Sequence, residues 1–352
     1  METSGVRYLG SKNKILPLIF EVIDGLNLKN KTLIDVFTGT TRVGQAAKSK
    51  GYTVTTSDLS WASEAYSNAF VCNDGNMDHL RSYIEKLNNV QPQAGWITEN
   101  YCDVAAKEHE DVNIKVWTPK NGMKADAARE LIETFDELSH MEKMFLITSV
   151  IFGLDKVDNT VGLQQAYLKG WKADRAKADI EFLMPKTIVG PSGQHVVGDA
   201  LKINYEEHEV AYLDPPYTPA DYSTYYHIWD SITRWDKPEV SLKTNRRIDR
   251  VKQKKNEKWD KSMVSPWYTK KGAYDATVKL VDRLPVQYVV FSYSDEGLIS
   301  YDEMKQLGAR YKSCVFHEKA HKRHVMSGIG AGAKELKVDE TKNTEYVILI
   351  EK

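Results

Sequence analysis

The chain has 352 residues, a hydrophobic fraction of 41%, a charged fraction of 28% and a formal net charge of −1. These values predict a globular protein large enough for one catalytic domain with a substantial insertion, and they exclude nucleic-acid binding through a global excess of positive charge. The three cysteines, Cys72, Cys102 and Cys314, are odd in number and far apart, which favours free thiols and a cytoplasmic location over a disulfide framework.

The first part of the chain follows the pattern of a strand–helix–strand unit. Helical spacing predicts a helix over 14–26, and TLIDVF (32–37) is typical of a short buried strand. A Gly-containing loop, a helix that ends near Lys50 and a second strand over 52–58 follow. Such a unit implies a parallel sheet, and helical patterns continue to about residue 89.

The middle of the chain predicts an insertion. The pattern fades between 91 and 118, which predicts loops. Helical spacing then predicts three helices, at 124–139, at 141–152 and in a stretch that ends near Lys177. We assign 92–190 to a mainly helical insertion, and 1–91 with 191–352 to the catalytic domain. No apolar run reaches the ~20 residues that a membrane span needs.

The last part of the chain returns to alternating strands and helices. Strands are predicted at 195–200, 210–214, 287–294, 311–320 and 344–350, and helices at 274–284 and 301–307. The predicted architecture is a doubly wound α/β sheet of the Rossmann-like kind. Between these elements, residues 234–261 carry eleven Lys and Arg against five Asp and Glu. We call 234–261 the basic segment.

The loop in DVFTGTTRVG (35–44) is the first candidate ligand site. Gly39 and Gly44 would let a ligand approach the backbone between a strand and a helix N-terminus. The spacing lacks the three-glycine dinucleotide motif and a Walker lysine, which argues against nicotinamide and nucleoside triphosphate enzymes. Asp58, at the end of the next predicted strand, lies where an acid would accept hydrogen bonds from a ribose diol. The alternative is that the glycines only make a turn.

Asp214-Pro215-Pro216-Tyr217, directly after the strand VAYL, is the second candidate. The prolines fix φ near about −65° and keep the corner out of helix. The Asp214 carboxylate and the Pro215 carbonyl can then accept both N–H groups of an exocyclic amine, while Tyr217 stacks on the same base. This suits methyl transfer to the amino nitrogen by positioning and electrostatics, without a covalent enzyme intermediate. A proline strand terminator with an incidental acid is the alternative.

These motifs resemble those of the D12-class (Dam-like) DNA adenine-N6 methyltransferases. RYLGSK (7–12) resembles the family's N-terminal motif, DVFTGTTRVG its S-adenosylmethionine loop and DPPY its catalytic tetrapeptide. Weaker similarities link GDA (198–200), FSYSDEG (291–297) and TEYVILI (344–350) to other family segments. The order of the motifs is that of the alpha group. The resemblance implies a seven-stranded sheet that ends in an antiparallel hairpin.

The resemblance also implies the methyl donor, S-adenosylmethionine, and the residues around it. Donor-binding candidates are Tyr8, Lys12, Asp35, Phe37, Gly39, Asp58, Asp199 and Asp214, and catalytic candidates are Asp214, Pro215 and Tyr217. The chain departs from the family pattern at Thr41, because family loops usually read F-x-G-x-G. A threonine costs backbone freedom at that position.

DNA contact requires basic residues concentrated on one surface. The candidates are Lys243, Arg246, Arg247, Arg250, Lys252, Lys254 and Lys255 in the basic segment, with Lys322 and Arg323 near the final hairpin. Trp235, Trp259 and Trp267 could wedge or stack when a base leaves the helix. Base readout is expected from the insertion, where NTVGLQQAYLKGW (159–171) resembles a DNA-facing loop of some relatives. A solvated or disordered basic segment is the alternative.

The predicted function is S-adenosylmethionine-dependent methylation of adenine N6 in duplex DNA at a specific sequence, with the base flipped into the DPPY pocket. Alternatives are an RNA adenine-N6 methyltransferase and a non-catalytic DNA-binding module of the same fold. Cytosine-N4 enzymes more often carry Ser where this chain has Asp214. No metal site is predicted, since His317, His321 and His324 lie among basic residues. We expect a cytoplasmic monomer that accompanies a restriction endonuclease.

Overall fold

The computed structural model describes residues 2–103, 115–164, 168, 170–171, 174–217, 221–241, 243–252, 256–322 and 342–352. Lys254, Lys255, Arg323 and His324 therefore lie outside the described residues, as does part of the loop 159–171.

The strands of the described chain form one sheet. They are β1 (Thr32–Val36), β2 (Thr53–Asp58), β3 (Gln194–Val197), β4 (His208–Leu213), β5 (Val286–Ser294), β6 (Ser313–Lys322) and β7 (Lys342–Glu351). Their order is β3-β2-β1-β4-β5-β7-β6. The first five in that order are parallel, whereas β7 is antiparallel to both β5 and β6. The predicted seven-stranded α/β sheet with an antiparallel hairpin at the end is confirmed.

Helices cover both faces of the sheet. They are α1 (Leu16–Asp24), α2 (Arg42–Ser49), α3 (Trp61–Phe70), α4 (Arg81–Asn88), α5 (Trp96–Tyr101), α6 (Pro119–Glu133), α7 (His140–Lys156), α8 (Tyr222–Tyr225), α9 (His227–Arg234), α10 (Lys270–Arg283) and α11 (Tyr301–Gly308). Across the described ranges, no helix has the length and apolar character needed to cross a membrane.

Neighbouring residues of the central strands pack on opposite faces of the sheet. Leu33 of β1 belongs to a hydrophobic cluster with α1, α3 and α7, whereas the adjacent Ile34 belongs to a second cluster with α10 and α11. This alternation is the geometry of a strand buried on both sides. Phe145 of α7, in the predicted insertion, lies in the same cluster as Leu33. The insertion helices therefore pack directly against the catalytic half.

The sheet has a reversal of strand order at β1. From β1 the chain moves outward to β2 and β3, and then returns to the other side of β1 with β4 and β5. Val36 lies in register with Leu213, so the loop after β1 and the corner after β4 leave the same edge of the sheet. Such a reversal opens a crevice at the carboxyl ends of the strands, where doubly wound folds bind ligands.

The helices of the structure differ from the sequence predictions in three places. The predicted loop region 91–118 contains α5, and the short helices α8 and α9, for which there was no prediction, follow the DPPY corner. The third helix predicted in the insertion is, in the described residues, only a 3-10 turn over Asp174–Lys177. The amino end of α5 is satisfied by Asp126, which accepts hydrogen bonds from the backbone N–H groups of Gly95, Ile97 and Thr98. A cap from so distant a residue leaves no local sequence signal.

His227, at the start of α9, makes stability depend on pH. The side chain is fully buried, and burial, reinforced by three neighbouring arginines, lowers its pKa from 6.5 to about 3. Below pH 6.5 the unfolded chain binds a proton that the folded chain does not, so stability is lost as the pH falls towards 3. Each pH unit in this window costs about 1.4 kcal/mol. Between pH 6.5 and 4.5, the free energy of unfolding of His227→Phe should therefore fall by roughly 2–3 kcal/mol less than that of the unmodified protein. Urea unfolding at the two pH values measures the difference.

The matched control is His140→Gln, which changes an exposed histidine. It should lose as much stability on acidification as the unmodified protein. Equal losses for the unmodified protein and His227→Phe would show that His227 does not carry this pH dependence.

Candidate active site

A cavity lies at the reversal of strand order, and it gathers the predicted site residues. Its lining includes all of the catalytic and donor-binding candidates, namely Tyr8, Lys12, Asp35, Phe37, Gly39, Asp58, Asp199, Asp214, Pro215 and Tyr217. They come from segments as far apart as residues 8 and 217, and the parallel strands bring them together because their carboxyl ends share one edge.

The Asp214 carboxylate is held by two side chains at the mouth of β4. Lys12 Nζ lies 3.0 Å from Asp214 Oδ1, and Ser292 Oγ donates to the same oxygen at 3.2 Å. Ser292 is itself 2.7 Å from the hydroxyl of Tyr212 on β4. Both contacts use Oδ1, and within the described chain no hydrogen bond occupies Oδ2. One carboxylate oxygen therefore fixes the side chain while the other remains available to a ligand.

The two charges of this pair stabilise each other. Burial alone would lower the pKa of Lys12, but the facing Asp214 carboxylate outweighs that effect and raises the Lys12 pKa above its ordinary value. Burial raises the pKa of Asp214, and Lys12 and Ser292 oppose that rise. Lys12 is therefore a permanent cation beside the corner.

Tyr217 is positioned by three separate contacts. The Lys12 ammonium lies 4.9 Å from the centre of its ring, and Tyr293 meets the ring edge-on at 6.1 Å. The backbone N–H of Leu298 donates to the Tyr217 carbonyl at 3.0 Å. The turn that presents Leu298 requires Gly297, since a Cβ there would stand 2.1 Å from the Tyr293 ring. The FSYSDEG segment and the residue that follows it therefore hold the DPPY corner in position.

The loop between β1 and α2 is held in place by hydrogen bonds to two carboxylates. Asp35 Oδ2 accepts from Thr38 Oγ1 at 2.6 Å and from the backbone N–H of Gly44 at 2.9 Å. Asp58, at the end of β2, accepts from the N–H of Gly39 at 2.8 Å and so ties the loop to β2. Burial raises the pKa of Asp35 to about 7 and also raises that of Asp58. Asp35 thus shapes the loop in addition to lining the cavity.

Left-handed backbone conformations give this loop its shape. Phe37, Gly39 and Thr41 have φ angles of 63°, 51° and 60°. This conformation costs Gly39 nothing, but it is strained for a β-branched residue. The expected cost at Thr41 is therefore present in the structure. Gln45 offsets it by donating from Nε2 to Thr41 Oγ1 at 2.9 Å.

Aromatic residues form a wall of the cavity, and the sequence analysis missed Tyr222 and Tyr226 among them. Tyr8 stacks on Tyr226 with ring centres 4.3 Å apart, and Tyr222 lies 5.8 Å from Tyr8. The Tyr226 hydroxyl accepts from the N–H of Leu9 at 2.7 Å. Across the cavity, Trp267 meets Phe37 edge-on at 4.9 Å. Tyrosines directly after DPPY, in YSTYY, were the signal that could have found this wall.

Asp230 is a second missed residue of the cavity. Its Oδ1 accepts from Ser60 Oγ at 2.6 Å and from the N–H of Ala62 at 3.1 Å. The N–H of Ser60 in turn donates to Asp58 at 2.9 Å. Helix α9, which follows the catalytic corner after the short helix α8, therefore holds the residues that come directly after Asp58. Asp199 also lines the cavity and accepts from the N–H of Leu201 at 3.0 Å.

Comparison with known proteins identifies the family of this chain. A family model described as D12 class N6 adenine-specific DNA methyltransferase matches residues 8–324. That match spans both halves of the sheet and every catalytic and donor-binding candidate. The chain belongs to this family. The resemblance seen in its motifs is thereby confirmed, and so is its assignment to a class of site-specific DNA methyltransferases.

Individual relatives support the same assignment. The modification methylase LlaI of Lactococcus lactis subsp. lactis is 27% identical over 97% of this methyltransferase, which spans only 56% of LlaI. The type II methyltransferase M.NlaIII of Neisseria lactamica is 27% identical, with 87% of this chain and 88% of the relative covered. M.CviAII of Paramecium bursaria Chlorella virus 1 is 26% identical, with 94% and 96% covered.

The basic segment of the methyltransferase is only partly a surface cluster. Arg247 and Arg250 are 2% and 4% exposed, so the expectation that they face DNA phosphates is wrong for this structure. Arg247 forms hydrogen-bonded ion pairs with Asp236 and Asp249, each at 2.8–2.9 Å. Arg250 lies between Trp61 and the Asp230 carboxylate, 4.0 Å from Oδ2. Both arginines anchor the segment to α9.

The other DNA candidates fall into three groups. Lys243 and Lys252 are exposed, and Arg246 is half-buried. Lys254, Lys255 and Arg323 lie outside the described residues, and so does the side chain of Lys322. Of the tryptophans, Trp267 is buried with its indole N–H on Thr277, and Trp235 and Trp259 are half-buried. Only part of the predicted cluster is therefore at the surface.

Arg247→Ala should destabilise the methyltransferase rather than only weaken DNA binding. The change leaves Asp236 and Asp249 without their shared cation in a half-buried site. We expect a loss of roughly 3 kcal/mol in the free energy of unfolding, measured by urea titration. Lys243→Ala, in the same segment but exposed, is the matched control and should leave the unfolding midpoint unchanged. An Arg247→Ala protein as stable as the unmodified protein would show that Arg247 does not stabilise the fold, and Arg247 would again be a candidate for DNA contact.

Proposed function

We propose that this methyltransferase transfers a methyl group from S-adenosylmethionine to N6 of adenine in duplex DNA, at a specific sequence and with the target base turned out of the helix. The observation that carries the proposal is the Asp214 corner. It brings the Asp214 carboxylate and Pro215 together with the aromatic ring of Tyr217 in the lining of the cavity that the loop after β1 also lines. Family membership supports adenine as the modified base.

The charges of the cavity suit this donor. Among the described residues that line it, five are acidic and two are basic. S-adenosylmethionine carries a sulfonium and an ammonium against one carboxylate, so an acidic cavity favours it. Asp58 would accept from the ribose hydroxyls, Asp199 would lie near the adenine ring, and the loop at Phe37 and Gly39 would pack against the nucleoside. When bound, the donor supplies an electrophilic methyl group.

The Asp214 corner would orient the target amino group. Asp214 Oδ2 and the Pro215 carbonyl would accept its two protons, which directs the nitrogen lone pair towards the methyl group. Tyr217 would stack on the base, held at its angle by Lys12 and Tyr293. Lys12 opposes the rise in the Asp214 pKa and holds the carboxylate in place, so the enzyme contributes preorganised acceptors and no covalent intermediate.

The setting proposed for this reaction is a monomer acting on cytoplasmic DNA. The exposed lysines of the basic segment would contact phosphates, and the insertion would read bases. A relative named as a modification methylase supports a companion restriction endonuclease that the methylation protects against.

The proposal is tested by incubating the protein with tritiated S-adenosylmethionine and with duplex DNA, single-stranded DNA or RNA, and then identifying the labelled base. We expect label on adenine of duplex DNA, and none in a reaction without nucleic acid. Label confined to RNA would show that the substrate is RNA and not duplex DNA. DNA binding without any label would show that the fold serves as a binding module.

Asp214→Ala should abolish methylation while the donor site survives. Loss of the carboxylate removes an acceptor that acts mainly in the transition state, so we expect kcat to fall at least ~100-fold and the Kd of S-adenosylhomocysteine to change less than about five-fold. Radiolabel transfer and calorimetry measure the two quantities.

Two further variants serve as controls for Asp214→Ala. Asp214→Asn preserves the shape of the side chain and separates loss of the charge from loss of the fold. Asp275→Ala removes an exposed carboxylate of α10 and should leave kcat unchanged. Equal losses of donor affinity and kcat in Asp214→Asn would place Asp214 in the donor site alone.

A further inference from the structure

The two cations that line the cavity differ in their partners. Lys12 is neutralised by Asp214. Arg42, the first residue of α2, donates from Nη1 to the backbone carbonyl of Thr3 and to Thr3 Oγ1. Its Nε is buried and has no acceptor. Throughout the described chain, no carboxylate forms an ion pair with Arg42.

An unpaired guanidinium in this position is costly. The side chain is only partly exposed, and burial lowers the pKa of Arg42 with no opposing carboxylate. Burying a charge is unfavourable unless an opposite charge compensates it. A ligand that brought an anion to Arg42 would recover that cost, and the guanidinium binds carboxylates through two parallel hydrogen bonds.

We propose that Arg42 binds the carboxylate of the methionine end of the methyl donor. The inference rests on the proposed function, because it takes S-adenosylmethionine as the ligand. The carboxylate is the donor's single anionic group, and Lys12 is already committed to Asp214. Arg42 directly follows the loop of Phe37 and Gly39, and it lines the same cavity as these two residues and Asp58. Arg42 therefore selects donors that carry an intact amino-acid end.

The assignment is consistent with how Arg42 is held. The Nη1 contact with Thr3 fixes the plane of the guanidinium, and Gly5 packs so closely that a Cβ there would lie 2.8 Å from Nη2. Thr3 and Gly5 belong to the N-terminal segment that also carries Tyr8 and Lys12. Arg42 is thus oriented before a ligand arrives, which lowers the entropy cost of binding.

The test compares two ligands that differ only in the carboxylate. S-adenosylhomocysteine and its decarboxylated analogue are titrated into the full chain by calorimetry, without DNA. We expect the unmodified protein to prefer S-adenosylhomocysteine by at least about ten-fold. Arg42→Gln should reduce this preference to about two-fold or less, by weakening the binding of S-adenosylhomocysteine alone. Arg42→Lys, which keeps the charge but not the paired geometry, should give an intermediate preference.

Arg310→Gln, which changes an exposed arginine far along the chain on α11's carboxyl side, is the control and should keep the full preference. An undiminished preference in Arg42→Gln overturns the inference. Should Arg42→Gln fail to fold, an unchanged preference in Arg42→Lys overturns it. An unmodified protein that binds neither ligand rejects the proposed function itself.

Discussion

A carboxylate at the end of a strand buried on both faces is the constraint on which this structure depends. Asp214 follows β4 directly, and its charge is tolerated there because Lys12 and Ser292 meet it. Lys12 comes from the amino-terminal segment and Ser292 from β5, so a single carboxylate joins three distant parts of the chain. The same contact places Lys12 over Tyr217. The amino-terminal segment, the sheet and the aromatic ring of the corner are therefore organised by one ion pair.

A chain of contacts connects helix α9 with the end of β2 and with the basic segment. Helix α9 follows the catalytic corner, and its Asp230 holds Ser60, which in turn holds Asp58. Arg250 of the basic segment lies beside Asp230. The basic segment and the predicted donor-binding residue Asp58 thus share one buried network. In such a network each group is positioned by its neighbours, and a change in one is felt by the others.

The sequence predicted what local patterns and short motifs encode. The strands could be predicted because buried alternation is a property of neighbouring residues. The donor and catalytic candidates, which the structure brings to one cavity, could be named because each motif is contiguous. Helix α5 was missed because its cap, Asp126, is remote in sequence. Charge counting found the basic segment but could not separate the buried Arg247 from the exposed Lys243, since that depends on which carboxylates fold against them. No signal in the sequence pointed to Arg42 either, because the absence of a carboxylate beside its guanidinium in the described chain is visible only in the folded structure.

We propose that the Asp214 corner offers two hydrogen-bond acceptors to an adenine amino group. The decisive measurement is a crystal structure with S-adenosylhomocysteine and a duplex of the methylated sequence. We expect an adenine outside the helix, with its N6 within about 3.2 Å of both a carboxylate oxygen of Asp214 and the Pro215 carbonyl. An adenine that remains stacked in the duplex, or an N6 that meets other side chains while Asp214 contacts only Lys12, would contradict it.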